Sequence, residues 1–175
     1  MNKDIKNSKK HLYYFSWHGI SYVSAQVSSD IERLLDKGEE VYLVSCKGKL
    51  KPCWFNMEGK ESKCRECRLN QSSNVVLKDK RLKKLFIDDY FNEDEAQKTL
   101  KTTSLADYKS ISDIKNLEYH GVDVGYAALS SYVSHTRNNN PSFNRAFRDY
   151  FDRLLLNQVM LVHGFEQLLE RIKPD

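Results

Sequence analysis

The sequence predicts an α/β fold that opens with a Rossmann-like βαβ unit on a small parallel sheet. A cysteine-rich loop follows the second strand, and the C-terminal half is mostly helical. Three observations carry this prediction. Two short β-rich runs flank one segment of helical period. All four cysteines, Cys46, Cys53, Cys64 and Cys67, lie just past the second run. From residue 110 onward, apolar side chains recur every three or four positions.

The elements follow in order. The first ten residues, MNKDIKNSKK, are polar and basic and are expected to form a flexible leader. Residues 11–17 (HLYYFSW) make a short aromatic run that ends before Gly19 and suits a buried strand. Ile20, Val23, Val27, Ile31, Leu34 and Leu35 then mark one face of a helix, with Gly38 placed as its left-handed terminating residue. Residues 41–45 (VYLVS) give the second strand. Strand, helix and strand in such close succession imply parallel pairing through a right-handed crossover. Residues 46–74 are too long a connection to stay without order in a compact domain unless something organises them.

Beyond that loop, residues 75–77 read as a brief third strand. The basic residues Lys78, Lys80, Arg81, Lys83 and Lys84 read as a solvated helix face, and Asp88, Asp89, Glu93, Asp94 and Glu95 as an acidic patch. Residues 110–117 form a short helix with Ser110 and Asp113 in capping-box positions. A second helix covers residues 122–136. Asn140 is placed as N-cap and Pro141 as first residue of a long amphipathic helix reaching Ile172. Phe143, Phe147, Phe151, Leu154, Leu155, Val162, Phe165, Leu169 and Ile172 line its apolar face. The ending Arg171-Ile172-Lys173-Pro174-Asp175 has the form in which an α-to-β connection begins. Residues 11–175 are therefore expected to be one Rossmann-like domain, incomplete at its C-terminal end.

With 175 residues, the chain can bury a core without crosslinks. A hydrophobic share of 40% against 30% charged is ordinary for a globular protein, and ten tyrosines with eight phenylalanines promise an aromatic interior. The net charge of +4 permits an anionic partner without requiring one. No segment has the apolar core of a secretion signal or the length of a membrane span. The expected location is cytoplasmic, with any membrane association peripheral, at the inner face.

The cysteines are the sharpest chemical feature. Four thiols in the pattern C-x6-C-x10-C-x2-C can close a tetrahedral zinc shell, each sulfur about 2.3 Å from the ion. Cys64 and Cys67 read as a knuckle-type pair, with Cys46 and Cys53 opposite. Lys47, Lys49, Lys51, Lys60, Lys63, Arg65 and Arg68 would offset the charge of the thiolates. In a reducing compartment this pattern favours structural zinc over free cysteines or redox pairing, and all three readings stay open. A shell of four protein ligands leaves no open position for catalysis.

His18, in Trp17-His18-Gly19, lies past the first strand, at the sheet edge where α/β folds bind ligands. It is the candidate catalytic base, and Trp17, His18 and Gly19 are the candidate substrate-binding residues; the bland reading is a polar loop. His163 reads as a packed helix residue, and His11, His120 and His135 carry no signal. Asp107, Lys109, Asp113, Glu118 and Asp123 fit capping and ion pairing better than base catalysis. No glycine-rich phosphate loop follows the first strand, which argues against a dinucleotide site. The basic run lacks the interleaved aromatics of a nucleic-acid surface.

The chain resembles the N-terminal region of bacterial polysaccharide-biosynthesis glycosyltransferases of the GT-B type, the enzymes of capsule and O-antigen synthesis. Three stretches carry the resemblance: Tyr14-Phe15-Ser16-Trp17-His18; residues 38–56, from Gly38 through Cys46 to Cys53, with Cys64 and Cys67 beyond; and residues 108–128, from Tyr108-Lys109-Ser110-Ile111 to Gly121-Val122-Asp123-Val124-Gly125-Tyr126-Ala127-Ala128. The resemblance implies an acceptor-side domain that receives a sugar or lipid-linked sugar. The nucleotide-sugar donor would be held by a C-terminal glycosyltransferase domain that this sequence does not contain, and the chain would not be active alone. Two other readings remain: a zinc-stabilised module binding an anion or nucleic acid, and a non-catalytic protein-interaction domain presenting its aromatic helices.

Overall fold

The computed structural model describes residues 8–14, 22–53, 55–73 and 78–175. Among these residues the sheet has three strands in the order β1 (Lys10–Tyr14), β2 (Glu40–Ser45), β3 (Lys83–Phe86), and both pairings are parallel. Lys10 lies opposite Glu40 and Tyr14 opposite Val44, while Tyr42 meets Lys83 and Ser45 meets Phe86. Helix α1 (Tyr22–Asp36) joins β1 to β2 and stops at Gly38, whose φ of +81° is the left-handed conformation expected of a helix terminator. The strand–helix–strand start is thus as the sequence implies.

Alternation along β2 divides the interior in two. Val41 and Leu43 face α1 and join Ile31, Leu34, Leu35 and Leu82 in a small cluster, with Tyr13 and Val27 against it. Val44 faces the opposite way, into the main core, where Leu12, Tyr14, Tyr42 and Leu85 also pack.

Several expectations need correction. The described third strand lies at 83–86 and takes in the last two lysines of the run read as a helix face, Lys83 and Lys84; residues 75–77 lie outside the described residues. Leu82 is buried in the cluster beneath α1, and the β2 ladder takes the backbone that follows it. Lys83 and Lys84 are tolerated because β3 is the edge strand among the described residues, where charge discourages further pairing. Arg81 holds the approach by binding Asp36 and Asp79.

The cysteine loop is not a loop throughout. Helix α2 (Glu61–Ser73) occupies its second half, so Cys64 and Cys67 are one turn apart on a helix rather than in a knuckle. In α2, Glu61, Lys63, Arg65, Glu66, Arg68 and Leu69 are good helix formers, with Glu61 in the first turn and Lys63 bonded to Glu66. With few apolar residues, however, it shows no hydrophobic period. The acidic patch is the start of α3 (Glu93–Thr102): Asn92 caps it by accepting from the amides of Asp94 and Glu95, and three carboxylates fill the first turn, where the helix dipole favours them.

The helical layer matches expectation more closely. Helix α4 (Ile111–Lys115) carries the Ser110–Asp113 capping box, and α5 is Val124–Thr136. Helix α6 (Arg145–Ile172) begins four residues later than expected because Asn144, not Asn140, is its N-cap and accepts from the Phe147 amide at 2.9 Å. Phe147, Phe151, Leu154, Leu155, Val159, Met160, Leu168 and Ile172 of α6 are all buried. Around them, the Tyr108 ring meets Phe147 and Phe151 edge-on.

Two glycines set helix spacing. A Cβ at Gly125 would lie 1.9 Å from the Ile114 carbonyl oxygen, so α4 and α5 approach closely only because it is absent. A Cβ at Gly164 would lie 2.6 Å from Ile87 Cδ1, where α6 crosses the residue that follows β3. Among the described residues no helix is long and apolar enough to cross a membrane.

Candidate metal centre

Past the carboxyl end of β2 the chain enters Cys46 and turns through Gly48, whose φ is +114°. One buried carboxylate holds this turn. Asp88, two residues past β3 and only 2% exposed, accepts from the Lys47 amide at 2.6 Å and the Lys49 amide at 2.8 Å. Its Oδ1 also faces the Cys46 thiol at 3.8 Å. Charge-assisted bonds to backbone amides are what a buried carboxylate needs to offset its lost hydration.

A second polar anchor follows. Cys53 and Asn56 exchange backbone bonds of 3.2 and 2.9 Å, closing a tight turn. Asn56, 2% exposed, donates from Nδ2 to the Lys60 carbonyl at 2.7 Å and to Cys64 Sγ at 3.1 Å, and its Oδ1 accepts from the Lys60 amide at 2.8 Å. It therefore ties the turn to the first turn of α2. From below, Asn157 of α6 donates to the Pro52 carbonyl, while its own Oδ1 is buried without a partner.

These anchors bring all four cysteines to one cavity, lined also by Tyr14, Gly48, Leu50, Phe55 and Asn56. Its volume is about 50 Å³. Ligand pockets run to about 300–1,000 Å³, so this one is on the scale of an ion or a water or two and too small for a sugar ring. Tyr14 brings the carboxyl end of β1 to the same place, which is the sheet edge where α/β folds gather ligands.

Sulfur chemistry divides between two states. None of the four cysteines is in a disulfide. Burial pushes the Cys46 thiol up to about 12, with the Asp88 carboxylate adding to the effect. Burial likewise raises Cys53 and Cys67. Without a metal these thiols stay protonated and are poor nucleophiles. Yet backbone amides work against that rise: Gly48 donates to Cys46 Sγ at 3.0 Å, and the backbone of Leu50 for Cys46, and of Asn56 and Phe55 for Cys53, pulls the thiol pKa down. Such N–H donors stabilise thiolate, the form that ligates metal. Among the described residues, no group of three or more His, Cys, Asp or Glu side chains stands in a metal-holding arrangement. The four sulfurs share a cavity without yet forming a shell; the donor set and the amides fit zinc, and the side-chain positions stop short of it.

The other expected site residues fall elsewhere. Trp17, His18 and Gly19 lie outside the described residues. His163 Nε2 meets the Tyr119 hydroxyl at 2.7 Å, and His120 Nδ1 meets Glu166 at 2.8 Å. His11 approaches Glu39 at 3.9 Å, and Asp113 is occupied in its capping box. Five of the seven cations around the sulfurs are paired nearby: Lys47 with Asp89, Lys51 and Arg68 with Glu61, Lys60 with Glu58, and Lys63 with Glu66. Asp88, Asn56 and Asn157 escape a sequence reading centred on thiols. Asn157 does leave one signal, as the polar residue after Leu154-Leu155-Leu156 on a buried face.

Comparison with family models, with curated proteins and with solved structures finds no match to this chain.

Proposed function

We propose that the chain is an acceptor-side domain of a bacterial surface-polysaccharide glycosyltransferase, with its cysteine loop closed by a structural zinc ion. The observation that carries the metal half is the convergence of Cys46, Cys53, Cys64 and Cys67 on one ion-sized cavity, with the Gly48 amide donating to Cys46 Sγ. A bound zinc would crosslink the segment after β2 to α2 and, with four protein ligands, would present no open position to a substrate. Asp88 and Asn56 would orient the two turns that deliver Cys46 and Cys53, and Asn56 would also hold Cys64.

The sugar half rests on the parallel sheet and on the resemblance of residues 14–18, 38–56 and 108–128. The acceptor, a sugar or lipid-linked sugar, would meet the segments that leave β1 and β2, with Trp17 and His18 on the first. The nucleotide-sugar would bind a partner C-terminal domain. Extensive pairing of the loop's cations with nearby carboxylates weighs against the competing reading of an anion-binding module, which needs positive charge left for phosphates.

Metal analysis of protein expressed without added metal tests the first half. The expected result is one zinc per chain with the four thiols slow to react; no zinc, with four thiols titrating readily in the folded state, overturns it. Titration of the isotope-labelled chain with a short-chain polyprenyl-diphosphate saccharide tests the second. Resonances of residues 15–19 and 46–56 should shift together, and their failure to move at millimolar ligand removes the sugar reading.

A further inference from the structure

Helix α5 differs from the other described α-helices in what it lacks. None of its 13 residues is Asp, Glu, Lys or Arg, although 30% of the whole sequence is charged. A surface helix ordinarily sets such charges opposite its apolar stripe. The exposed side of α5 instead carries Tyr126, Ser130 and Ser134, which the helical spacing puts in one row. Tyr126 leaves 57% of its surface uncovered.

That row forms one wall of an open groove of about 290 Å³ between α4 and α5. Ile111, Leu129 and Val133, the less exposed part of the lining, give it an apolar floor, and Lys115 and Asn139 complete its rim. The walls are fixed in advance. Gly125 lets α5 seat against the Ile114 carbonyl, and its amide donates to the Leu117 carbonyl at 3.0 Å.

A second observation is how the polar groups of the rim are left. Ser131 and Thr136 of the same helix turn their hydroxyls back onto the carbonyls of Ala127 and Tyr132, at 3.1 and 2.9 Å. Ser130 and Ser134 do not. Among the described residues, the Tyr126 hydroxyl, the Asn139 side chain and Lys115 Nζ have no partner either. The carboxylate nearest Lys115 in sequence, Asp113, is occupied by the amides of Lys109 and Ser110.

Hydrogen-bonding groups left open around an apolar floor suit a small polar ligand. Ligand pockets run from about 300 Å³ upward, so the groove has room for one six-membered sugar ring and too little for a nucleotide. Such a ring offers a C–H face to an aromatic side chain and hydroxyls along its edge. The unpaired Lys115 adds a preference for negative charge.

We propose that the α4–α5 groove binds a pyranose carrying one anionic substituent, a carboxylate or a phosphate. Tyr126 packs on the ring, Ser130, Ser134 and Asn139 bond its hydroxyls, and Lys115 meets the charge. The groove takes no lining from the cysteines or the sheet, so the proposal stands whether or not the zinc and acceptor readings hold.

Titration of the isotope-labelled full chain tests it with glucuronate, galacturonate, glucose 1-phosphate, glucose and inorganic phosphate. The expected result is a saturable shift of the Lys115, Tyr126, Ser130 and Ser134 amides with at least one charged sugar. The uronate and phosphate arms show which anionic group is taken. Glucose should bind more weakly by about tenfold or more, and inorganic phosphate should leave these amides unmoved. Lys115→Gln should reduce the charged sugar to the level of glucose, and Tyr126→Ala should abolish the response, both with the α6 resonances in place. No shift with any charged sugar overturns the proposal, as does glucose binding equally well or inorganic phosphate giving the same shift. A response confined to residues 46–56 also overturns it, and would belong to the acceptor reading instead.

Discussion

The helical layer and the cysteine loop lie on the same helix, α6, yet they are held by opposite means. Around Phe147, Phe151 and Tyr108 the layer is close-packed aromatic and aliphatic side chains, each touching several others, so no single polar bond decides the arrangement. The loop from Cys46 to Lys60 has Leu50 and Met57 as its buried apolar anchors and depends on the few polar groups Asp88, Asn56 and Asn157. Packing spreads its load, whereas a polar clasp concentrates it. Damage to the first region should be felt everywhere, and damage to the second should stay local.

Phe151→Ala tests the first half of that contrast with the largest effect. Its ring is fully buried, and truncation should cost about 3–5 kcal/mol in denaturant unfolding, with protection lost in the sheet and helices alike. Asp88→Asn tests the second half. Losing charge-assisted bonds to two amides should cost about 2 kcal/mol, with faster exchange confined to Lys47, Lys49 and their neighbours. If exchange rises equally in α5, the loop is not a separate clasp and the contrast fails.

The smallest effect sharpens the picture by pH. The Tyr108 hydroxyl donates to Asp152 at 2.7 Å, and burial, with Asp152 adding to it, raises its pKa above the ordinary 10.0. A raised folded-state pKa gives stability that is full below pH 10 and is lost as pH climbs through the alkaline range. Tyr108→Phe should cost about 1 kcal/mol at neutral pH and flatten the alkaline fall in melting temperature. An unchanged alkaline slope would place that titration elsewhere.

What could be read from residues alone follows the same division. Helix α1, β2, α5 and most of α6 announce themselves because apolar period and packing coincide. The capping box at Ser110 was legible because its chemistry is local. Helix α2 was hidden because its polar sequence carries no buried stripe. Strand β3 was hidden because its two lysines mask a run that β2, not its own composition, makes extended. The N-cap moved from Asn140 to Asn144 because both asparagines precede aromatic residues, and only the fold selects which one reaches an orphan amide. At the site, the gathering of thiols was visible from their density along the chain. Asp88 was not, because its role appears only once β3 is placed and the residue lands at the carboxyl edge of the sheet.

Gly164 has a consequence for anyone who would re-engineer this scaffold. The methyl group it lacks is the room that Ile87 fills, and Ile87 is the immediate neighbour of the carboxylate that clasps the loop. Thickness between helix and sheet and the aim of that carboxylate are therefore set by one bare position. Any graft that tightens α6 by adding bulk there would misdirect the turn carrying Cys46 without touching a single thiol.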